Sequence, residues 1–437
     1  MKLLVVSNGF PPRGSFGTEF YTDQMVRGLI ARGHEVRVLH PVRDGSRPRY
    51  TLESVDVAGV PVRLLHNAGD PQKRFTPSFH DPEVERAFRA ALDDWRPDCV
   101  HFTYLLWGLS IGLPGVARER GIPSVLTVTD HGLACHRGQF FDADLVHCHG
   151  PQPPAVCARC VRRPARFDHS AGEVALRRAA AELLAAFGGF GRVVVEADLA
   201  RREAAVRAAL ECLTLIVAPT EVIAEPLLTL GLPRERVRVL PYAFDEAPYA
   251  AVRGSAPPKL PRFTFLGQFA PHKGLDVLVG AARELARVRP EPWEVVLHGA
   301  PSVGRHARYA PRVLAGIDGA RVRRGAAFAP GGAPEVLAAS TALVVPSLWD
   351  ENAPLAVLEA RSAGVPVLAS RVRGIAEVVA EGVTGFLFEP GDVAALAGLM
   401  GRALDGELTR LTAPGLKVSL AAHLEALESI HAAARTR

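Results

Sequence analysis

The chain alternates short apolar runs with longer stretches in which apolar residues recur at helical spacing. The first run, residues 3–6, precedes a segment where Tyr21, Met25 and Leu29 share one helical face before Gly33 ends the helix. Further apolar runs of strand length lie at residues 34–39, 98–102, 123–128, 214–218, 237–241, 263–266, 294–298, 322–325, 342–345, 365–369 and 384–388. Repeated strand and helix units predict an α/β protein with parallel, doubly wound sheets.

Two groups of these units are separated by a stretch rich in proline. Residues 246–261 contain four prolines and a Gly-Ser pair, which is typical of a linker. A chain of 437 residues also exceeds one ordinary hydrophobic core. We therefore expect a first Rossmann-like domain at residues 1–245, a linker at 246–262, a second Rossmann-like domain at 263–412, and a terminal helix at 413–437.

An insertion at about residues 133–212 interrupts the first domain. Between Arg159 and Arg207 it carries ten arginines and no lysine against six acidic residues, and residues 173–187 and 198–211 have helical patterns. A solvated helical face explains such a charge excess. The functional alternative is a docking surface for anionic lipid headgroups or an anionic acceptor.

Four cysteines in this insertion have the spacing C-x12-C-x8-C-x2-C. They are Cys135, Cys148, Cys157 and Cys160. Cys157 and Cys160 can chelate a metal from one turn, and the other two thiolates complete a tetrahedral structural zinc site. Ordinary buried or surface thiols are the alternative, and disulfides rank third because a reducing compartment is expected.

Composition excludes several classes of protein. The net charge of +5 is mild for a nucleic-acid binder, and no nucleic-acid motif accompanies it. Residues 3–6 are too short for a signal-peptide core, and no run reaches about 18 apolar residues, so no membrane span is expected. These features predict a cytoplasmic protein that does not bind nucleic acid.

The stretch at residues 347–360 contains the strongest functional pattern. It follows an apolar strand and leads into a helix in which Pro354 suits the first turn and Gly364 the end. The N-terminus of such a helix favours an anion such as phosphate. Glu351 and Glu359 are eight residues apart, which places them about 80° apart around the helix, on the same side. Carboxylates beside an anion site suit the binding of hydroxyl groups.

The pattern Glu-Asn-x-Pro-Leu-x-x-x-Glu-Ala from Glu351 to Ala360, followed by Ala-Gly-Val-Pro-Val, resembles retaining glycosyltransferase family 4, the group 1 type with GT-B architecture. The resemblance covers residues 2–40, 123–132, 214–245 and 263–400. It implies two Rossmann-like domains that face a central cleft, with the acceptor on the first domain and the nucleotide sugar on the second. The last helix is then expected to pack back toward the first domain.

The resemblance also implies site residues. His131 matches a histidine beneath the donor sugar, Glu351 a carboxylate on the transferred sugar, and Lys273 a cation at the diphosphate, and these three are the expected catalytic residues. Gln268 stands where the family commonly has arginine. The implied donor-binding residues are Gly17, Gly267, Gln268, Lys273, Asn352, Ala353, Pro354, Leu355 and Glu359.

The implied reaction is transfer of a sugar from a nucleoside-diphosphate sugar to an acceptor hydroxyl, with retention of anomeric configuration. No cofactor or catalytic metal is expected, because Lys273 and helix N–H groups can neutralise the leaving diphosphate. The expected partners are the donor, a sugar or lipid-linked acceptor of polysaccharide, glycolipid or glycoconjugate biosynthesis, and the inner membrane surface. A non-catalytic sugar-nucleotide-binding protein of the same fold is the alternative. An NAD-linked oxidoreductase is disfavoured because the first domain lacks G-x-G-x-x-G.

Overall fold

The computed structural model of the chain describes most of its 437 residues. The described residues are 1–14, 17–70, 75–164, 167–188, 193–256, 258–302, 306–315, 317, 321–326, 331–411 and 414–436. They form two sheets with helices on both faces, which confirms the α/β, doubly wound fold expected from the alternating pattern.

The first sheet has eight strands in the order β3-β4-β2-β1-β5-β6-β7-β8. All neighbours are parallel except β3 and β4, which form an antiparallel hairpin through the turn at Ala58 and Gly59. The strands are β1 (Lys2–Val6), β2 (Glu35–Val42), β3 (Leu52–Val57), β4 (Val60–His66), β5 (Cys99–Phe102), β6 (Ser124–Thr127), β7 (Leu215–Ala218) and β8 (Val237–Val239). The hairpin was not predicted, because the edge strand β3 has no buried residue and hence no strong apolar alternation.

Alternate residues of β1 build the two apolar layers of this half. Leu3 and Val5 pack with the helix α1 (Gly17–Ala31), whereas Leu4 and Val6 pack with the helix α2 (Pro82–Trp95). The other helices of this half are α3 (Leu113–Glu119), α4 (Pro154–Arg162), α5 (Ala171–Ala186), α6 (Glu196–Cys212) and α7 (Glu221–Thr229). Helical structure in the insertion, predicted at residues 173–187 and 198–211, is confirmed by α5 and α6.

The second sheet has six parallel strands in the order β11-β10-β9-β12-β13-β14. The strands are β9 (Arg262–Leu266), β10 (Glu294–His298), β11 (Val322–Arg324), β12 (Ala342–Val345), β13 (Val367–Ser370) and β14 (Gly385–Phe388). Its helices are α9 (Leu275–Val288), α10 (Tyr309–Leu314), α11 (Ala333–Ala338), α12 (Leu355–Ser362) and α13 (Val393–Leu404). The Asp392 side chain caps α13 by accepting a hydrogen bond from the backbone N–H of Ala395.

The segment between the two sheets is more ordered than its composition suggests. Residues Ala247–Val252 form a short helix, α8, and its Tyr249 is only 3% exposed. Tyr249 packs against Phe244 with ring centroids 5.1 Å apart. The linker predicted at residues 246–262 therefore contains a short helix, and a buried aromatic ring holds this stretch against the protein.

The last helix, α14 (Leu420–Arg435), packs on the first sheet. The Tyr21 hydroxyl lies 3.1 Å from Nε2 of His423, and Nδ1 of His101 lies 2.7 Å from Nε2 of His431. At the surface Arg32 forms an ion pair with Glu428. Among the described residues, no helix combines the length and apolar character needed to cross a bilayer.

Candidate functional site

Strand order reverses between β9 and β12 in the second sheet, as it does between β1 and β5 in the first. Loops leaving the carboxyl ends of such neighbouring strands run in opposite directions and leave a crevice, which is where open α/β sheets bind ligands. The loop after β9 contains Gly267, Gln268 and Lys273, and the loop after β12 contains Glu351. The topology thus brings together the two loops that the sequence analysis singled out.

A close backbone contact joins these loops. Gly274 has φ +67°, and a Cβ atom there would lie 1.8 Å from the carbonyl oxygen of Pro346. Only glycine therefore fits at this position. The backbone N–H of Leu348 also donates a 2.8 Å hydrogen bond to the carbonyl of His272. The two loops form one wall of the crevice, with Lys273 in it.

Lys273 and Glu351 form an ion pair in this wall. Lys273 Nζ lies 2.7 Å from Glu351 Oε1, and Ser347 Oγ donates a 2.6 Å hydrogen bond to the same oxygen. Glu351 is only 3% exposed, while a quarter of the Lys273 side chain reaches solvent. The ammonium also lies 5.1 Å from the centroid of the Trp349 ring. A buried carboxylate thus orients a partly accessible cation.

The Glu351 loop is held from a second side by Arg373 and Gly374. The backbone N–H of Glu351 donates to the Arg373 carbonyl at 3.1 Å, and the Arg373 N–H donates to Asp350 Oδ1 at 3.1 Å. Gly374 has φ +80°, and a Cβ atom there would meet the Glu351 carbonyl oxygen at 1.7 Å. Ala353 has φ +43°, a conformation uncommon outside glycine. These contacts hold a strained loop in one shape.

The helix α12 begins at Leu355, and Pro354 is its N-cap residue. Glu359, on the second turn, accepts a 2.6 Å hydrogen bond from the hydroxyl of Tyr249. Burial raises the pKa of the Glu359 carboxyl, and the hydrogen bond from Tyr249 opposes that shift. Tyr249 was not predicted as a site residue, because it lies 110 positions away in the proline-rich stretch.

Two contacts join the halves beside this helix. A Cβ atom on Gly17 would lie 3.4 Å from Leu355 Cδ1, so the start of α1 touches the start of α12. Asn352 donates to the Val128 carbonyl at 3.2 Å and to the Tyr242 hydroxyl at 3.1 Å, and it accepts from Thr220 at 3.3 Å. The Asn352 side chain therefore bridges the halves. Donor binding at Asn352 stays a prediction. Because its side chain is engaged in these three hydrogen bonds, only its backbone could contact the donor.

His131 follows β6 and enters the same region from the first half. It is 4% exposed, and neither ring nitrogen forms a hydrogen bond of ordinary geometry with the described residues. Its ring packs against Phe140 at 4.9 Å and meets Trp349 edge to face at 6.2 Å between centroids. Burial lowers the pKa of His131 to about 4, so the ring is neutral at pH 7. The ring is thus a buried, neutral group at the crevice, next to the backbone of Asp350.

Neighbouring groups fix the backbone around His131. Asp130 accepts hydrogen bonds from the Tyr104 hydroxyl at 2.6 Å and the Gly132 N–H at 2.7 Å. The buried Arg202 of α6 donates to the Gly132 carbonyl and, at 3.1 Å, to the Leu133 carbonyl. No sequence pattern pointed to Arg202, since it looked like one member of an arginine-rich helix.

The insertion also contacts the Glu351 loop. His147 Nε2 lies 3.2 Å from Asp350 Oδ2, and Gln139 Nε2 lies 3.4 Å from His272 Nε2. Gln139 and His147, which both precede Cys148, therefore belong to the wall of the crevice. A functional role for His147 or Asp350 was not predicted.

The four clustered cysteines are free thiols in this structure, as are Cys99 and Cys212. Cys157 and Cys160 lie one turn apart on α4. Within the described ranges, no group of three or more His, Cys, Asp or Glu side chains has the spacing needed to hold a metal ion. The structural zinc site accordingly stays a prediction.

Comparison with known proteins identifies the family profiles and relatives that this chain matches. The profile of the family "Glycosyl transferase 4-like domain" matches residues 16–195, and that of "Glycosyl transferases group 1" matches residues 260–406. A D-inositol 3-phosphate glycosyltransferase of Acidothermus cellulolyticus is 32% identical over 44% of this chain and 43% of that protein. Its counterpart in Nocardia farcinica is 36% identical over 46% of this chain and 47% of that protein. The chain thus spans about half the length of these relatives.

Solved structures resemble the whole chain in fold. Sucrose-phosphate synthase from Thermosynechococcus elongatus has a TM-score of 0.63 at 17% identity and covers 100% of this chain and 96% of its own. Anabaena HepE in complex with UDP and glucose has a TM-score of 0.57 at 17% identity and covers 100% and 97%. The two family profiles match one sheet each, and the arrangement of the sheets is that of the solved structures. Both findings agree with the family resemblance that the Glu351–Ala360 pattern indicated. The chain belongs to the group 1 glycosyltransferases of family 4, and its fold is GT-B.

Proposed function

We propose that this chain is a retaining glycosyltransferase that moves a sugar from a nucleoside-diphosphate sugar to an acceptor hydroxyl. The observation that carries the proposal is the meeting of Lys273 and Glu351 at the switch point of the second sheet, with the buried His131 facing them from the first. A cation, a carboxylate and a neutral ring at one crevice are the groups that a diphosphate and a sugar require.

The donor lies along α12 in this proposal. The first N–H groups of a helix have no intrahelical partners, and they attract the diphosphate together with the Lys273 ammonium. Glu359 binds the ribose hydroxyls, with Tyr249 orienting its carboxylate. Glu351 binds hydroxyls of the transferred sugar. Support for a nucleoside-diphosphate donor comes from structural neighbours solved with UDP, UDP-glucose and ADP.

During transfer the bond between the anomeric carbon and the diphosphate oxygen breaks, and its electron pair leaves with the diphosphate. The acceptor oxygen attacks the same face, and its proton passes to the departing phosphate oxygen. Lys273 and the α12 N–H groups stabilise the negative charge that develops there. Neutral His131 lies under the sugar and adds no positive charge to an oxocarbenium-like centre. These groups supply the required charge without a catalytic metal.

The acceptor is proposed to be a sugar or lipid-linked molecule of polysaccharide, glycolipid or glycoconjugate synthesis, presented at the cytoplasmic membrane surface. The helix α5 supports this placement because none of its residues is buried. Leu176 and Leu183 are 72% and 63% exposed, and their spacing of seven residues puts them on one face. Phe187, the C-cap residue that follows the helix, is 67% exposed. Several nearby arginines already pair with acids, among them Arg162 with Glu182 and Arg207 with Glu203. Apolar contact, more than charge, would therefore hold α5 on the membrane.

A donor screen tests the proposal. Purified protein is incubated with a panel of nucleoside-diphosphate sugars, and release of nucleoside diphosphate is measured with and without candidate acceptors. Slow donor hydrolysis, abolished in Glu351→Ala, is expected for one donor, and the anomeric configuration of the product is read by NMR. Tight nucleotide binding without hydrolysis or transfer would instead identify a non-catalytic binding protein.

A further inference from the structure

One indole ring packs against side chains from both halves of the crevice. Trp349 lies in the Glu351 loop and is only 9% exposed. The Lys273 ammonium lies over its ring, 5.1 Å from the centroid. The rings of His272 and His131 stand nearly perpendicular to it, at 73° and 84°, with centroids 4.9 Å and 6.2 Å away. Trp349 thus joins the cation of the second half to the buried histidine of the first.

The indole N–H of Trp349 is buried, and in the part of the chain that the structure describes it has no hydrogen-bond acceptor. A buried tryptophan normally donates this hydrogen, because an unpaired buried donor costs free energy. Trp293 shows the ordinary case, since it is 2% exposed and its Nε1 donates to the Arg289 carbonyl at 3.3 Å. Among the described residues, Trp349 therefore leaves one donor without an oxygen at the wall of the crevice.

The ring and its N–H suit different parts of one ligand. The ring face attracts the Lys273 ammonium, and the Glu351 carboxylate holds the same ammonium at 2.7 Å. Together they restrict a side chain that is otherwise flexible. An indole N–H can only donate a hydrogen bond, so its partner must be an acceptor such as a phosphate or hydroxyl oxygen. A nucleotide sugar carries both kinds of oxygen.

We propose that Trp349 fixes the Lys273 ammonium through its ring and donates its indole N–H to an oxygen of the nucleotide-sugar donor. This inference rests on the proposed function, because it takes a nucleotide sugar as the ligand of the crevice. A diphosphate oxygen and a sugar hydroxyl are the two acceptors within that donor, and binding experiments with and without the sugar distinguish them.

Trp349→Phe tests the hydrogen bond, because phenylalanine keeps an aromatic ring but has no N–H. UDP and ADP, which structural neighbours bind, serve as calorimetric probes. If a phosphate oxygen accepts the hydrogen bond, these nucleotides should bind roughly 10- to 100-fold more weakly. If a sugar hydroxyl accepts it, their affinity stays the same and the Michaelis constant for hydrolysis of the nucleotide sugar rises. No change in either quantity refutes the hydrogen bond.

Trp293→Phe is the matched control. Trp293 is also buried, and the Arg321 guanidinium lies over its ring at 4.6 Å from the centroid. It directly precedes β10, whereas the crevice lies at the carboxyl ends of the strands. This variant should lose thermal stability but keep its nucleotide affinity and its turnover.

Trp349→Leu tests the ring. Loss of the contact between cation and ring should lower turnover by about 2- to 10-fold relative to Trp349→Phe. If Trp349 acts through Lys273, this difference should disappear when both variants also carry Lys273→Met. An equal difference in both backgrounds overturns the positioning role, because leucine then acts through packing alone.

The wild-type protein separates this inference from the proposed function. If it binds no nucleoside diphosphate and hydrolyses no nucleotide sugar, both are refuted. If it does both while Trp349→Phe matches it in affinity and in Michaelis constant, the proposed function stands and the hydrogen bond from Trp349 is refuted. Because Trp349→Phe preserves the aromatic packing, the test remains valid even where Trp349→Leu fails to fold.

Discussion

Replacing Lys273 with methionine removes the cation of the proposed diphosphate site while keeping the length of the side chain. Loss of a charged hydrogen bond costs about 1.5 to 3 kcal/mol, so nucleoside diphosphate should bind roughly 10- to 150-fold more weakly. If Lys273 also stabilises charge that develops during transfer, turnover should fall by about 10²- to 10³-fold. Binding is measured by calorimetry and turnover from initial rates with saturating donor.

The ion pair with Glu351 complicates this experiment and also supplies a control. Without Lys273, the buried Glu351 carboxylate keeps the hydrogen bond from Ser347 but lacks its cation, and it would repel a diphosphate. The double variant Lys273→Met/Glu351→Gln removes that repulsion. If Lys273 contacts phosphate directly, the double variant should recover only part of the lost affinity and should still bind nucleoside diphosphate more weakly than the wild type. Lys259→Met, at an exposed lysine, should bind and turn over like the wild type.

Two results would refute the assignment. Full recovery of nucleotide binding in the double variant would mean that Lys273 only neutralises Glu351. An effect confined to the Michaelis constant, with turnover unchanged, would show that Lys273 binds the donor equally in the ground and transition states and adds no stabilisation specific to the transition state.

Four further predictions follow from the site and the buried histidines. Glu359→Ala should weaken free nucleotide by roughly 10- to 150-fold in calorimetry, whereas Glu351→Ala should spare it; equal binding by both variants and the wild type would contradict the ribose assignment. Gln268→Arg should tighten nucleoside-diphosphate binding, and an unchanged dissociation constant would mean that another cation already serves that position. If the predicted zinc site at Cys135, Cys148, Cys157 and Cys160 forms, removal of its zinc by a chelator should abolish transfer but leave nucleotide affinity unchanged. Retained transfer would show that these cysteines do not influence the crevice. Acid should destabilise the protein. Burial lowers the pKa of four histidines from the ordinary value of 6.5 to about 4 in the folded protein. Between these pH values the unfolded chain therefore binds more protons than the folded protein, and the free energy of unfolding falls as the pH falls. Each neutral histidine then costs about 1.4 kcal/mol per pH unit, and the urea midpoint should drop clearly from pH 7.5 to 5.5; a constant midpoint would refute this. These histidines are His40, His131, His423 and His431.

Local patterns were enough to predict most strands and several helix ends. A parallel strand buried on both faces is a continuous apolar run, so β12 and β13 were visible without their neighbours. Capping is equally local, because Asp392 and the helix it begins are adjacent in sequence. The edge strand β3 escaped prediction since half-exposed residues leave little apolar signal.

The alternation of elements, the resemblance to a family and the short loops that hold charged residues could all be predicted from the amino-acid sequence. Which of these loops meet depends on the tertiary structure. Tyr249 reaches Glu359 across 110 residues, Asn352 reaches Val128 across 224, and His131 faces Trp349 from the other half. Such contacts depend on strand order and on how the two sheets pack, and neither leaves a periodic trace along the chain. The chemical groups of each loop can be listed from the sequence, whereas the crevice forms only when both sheets have folded and packed together.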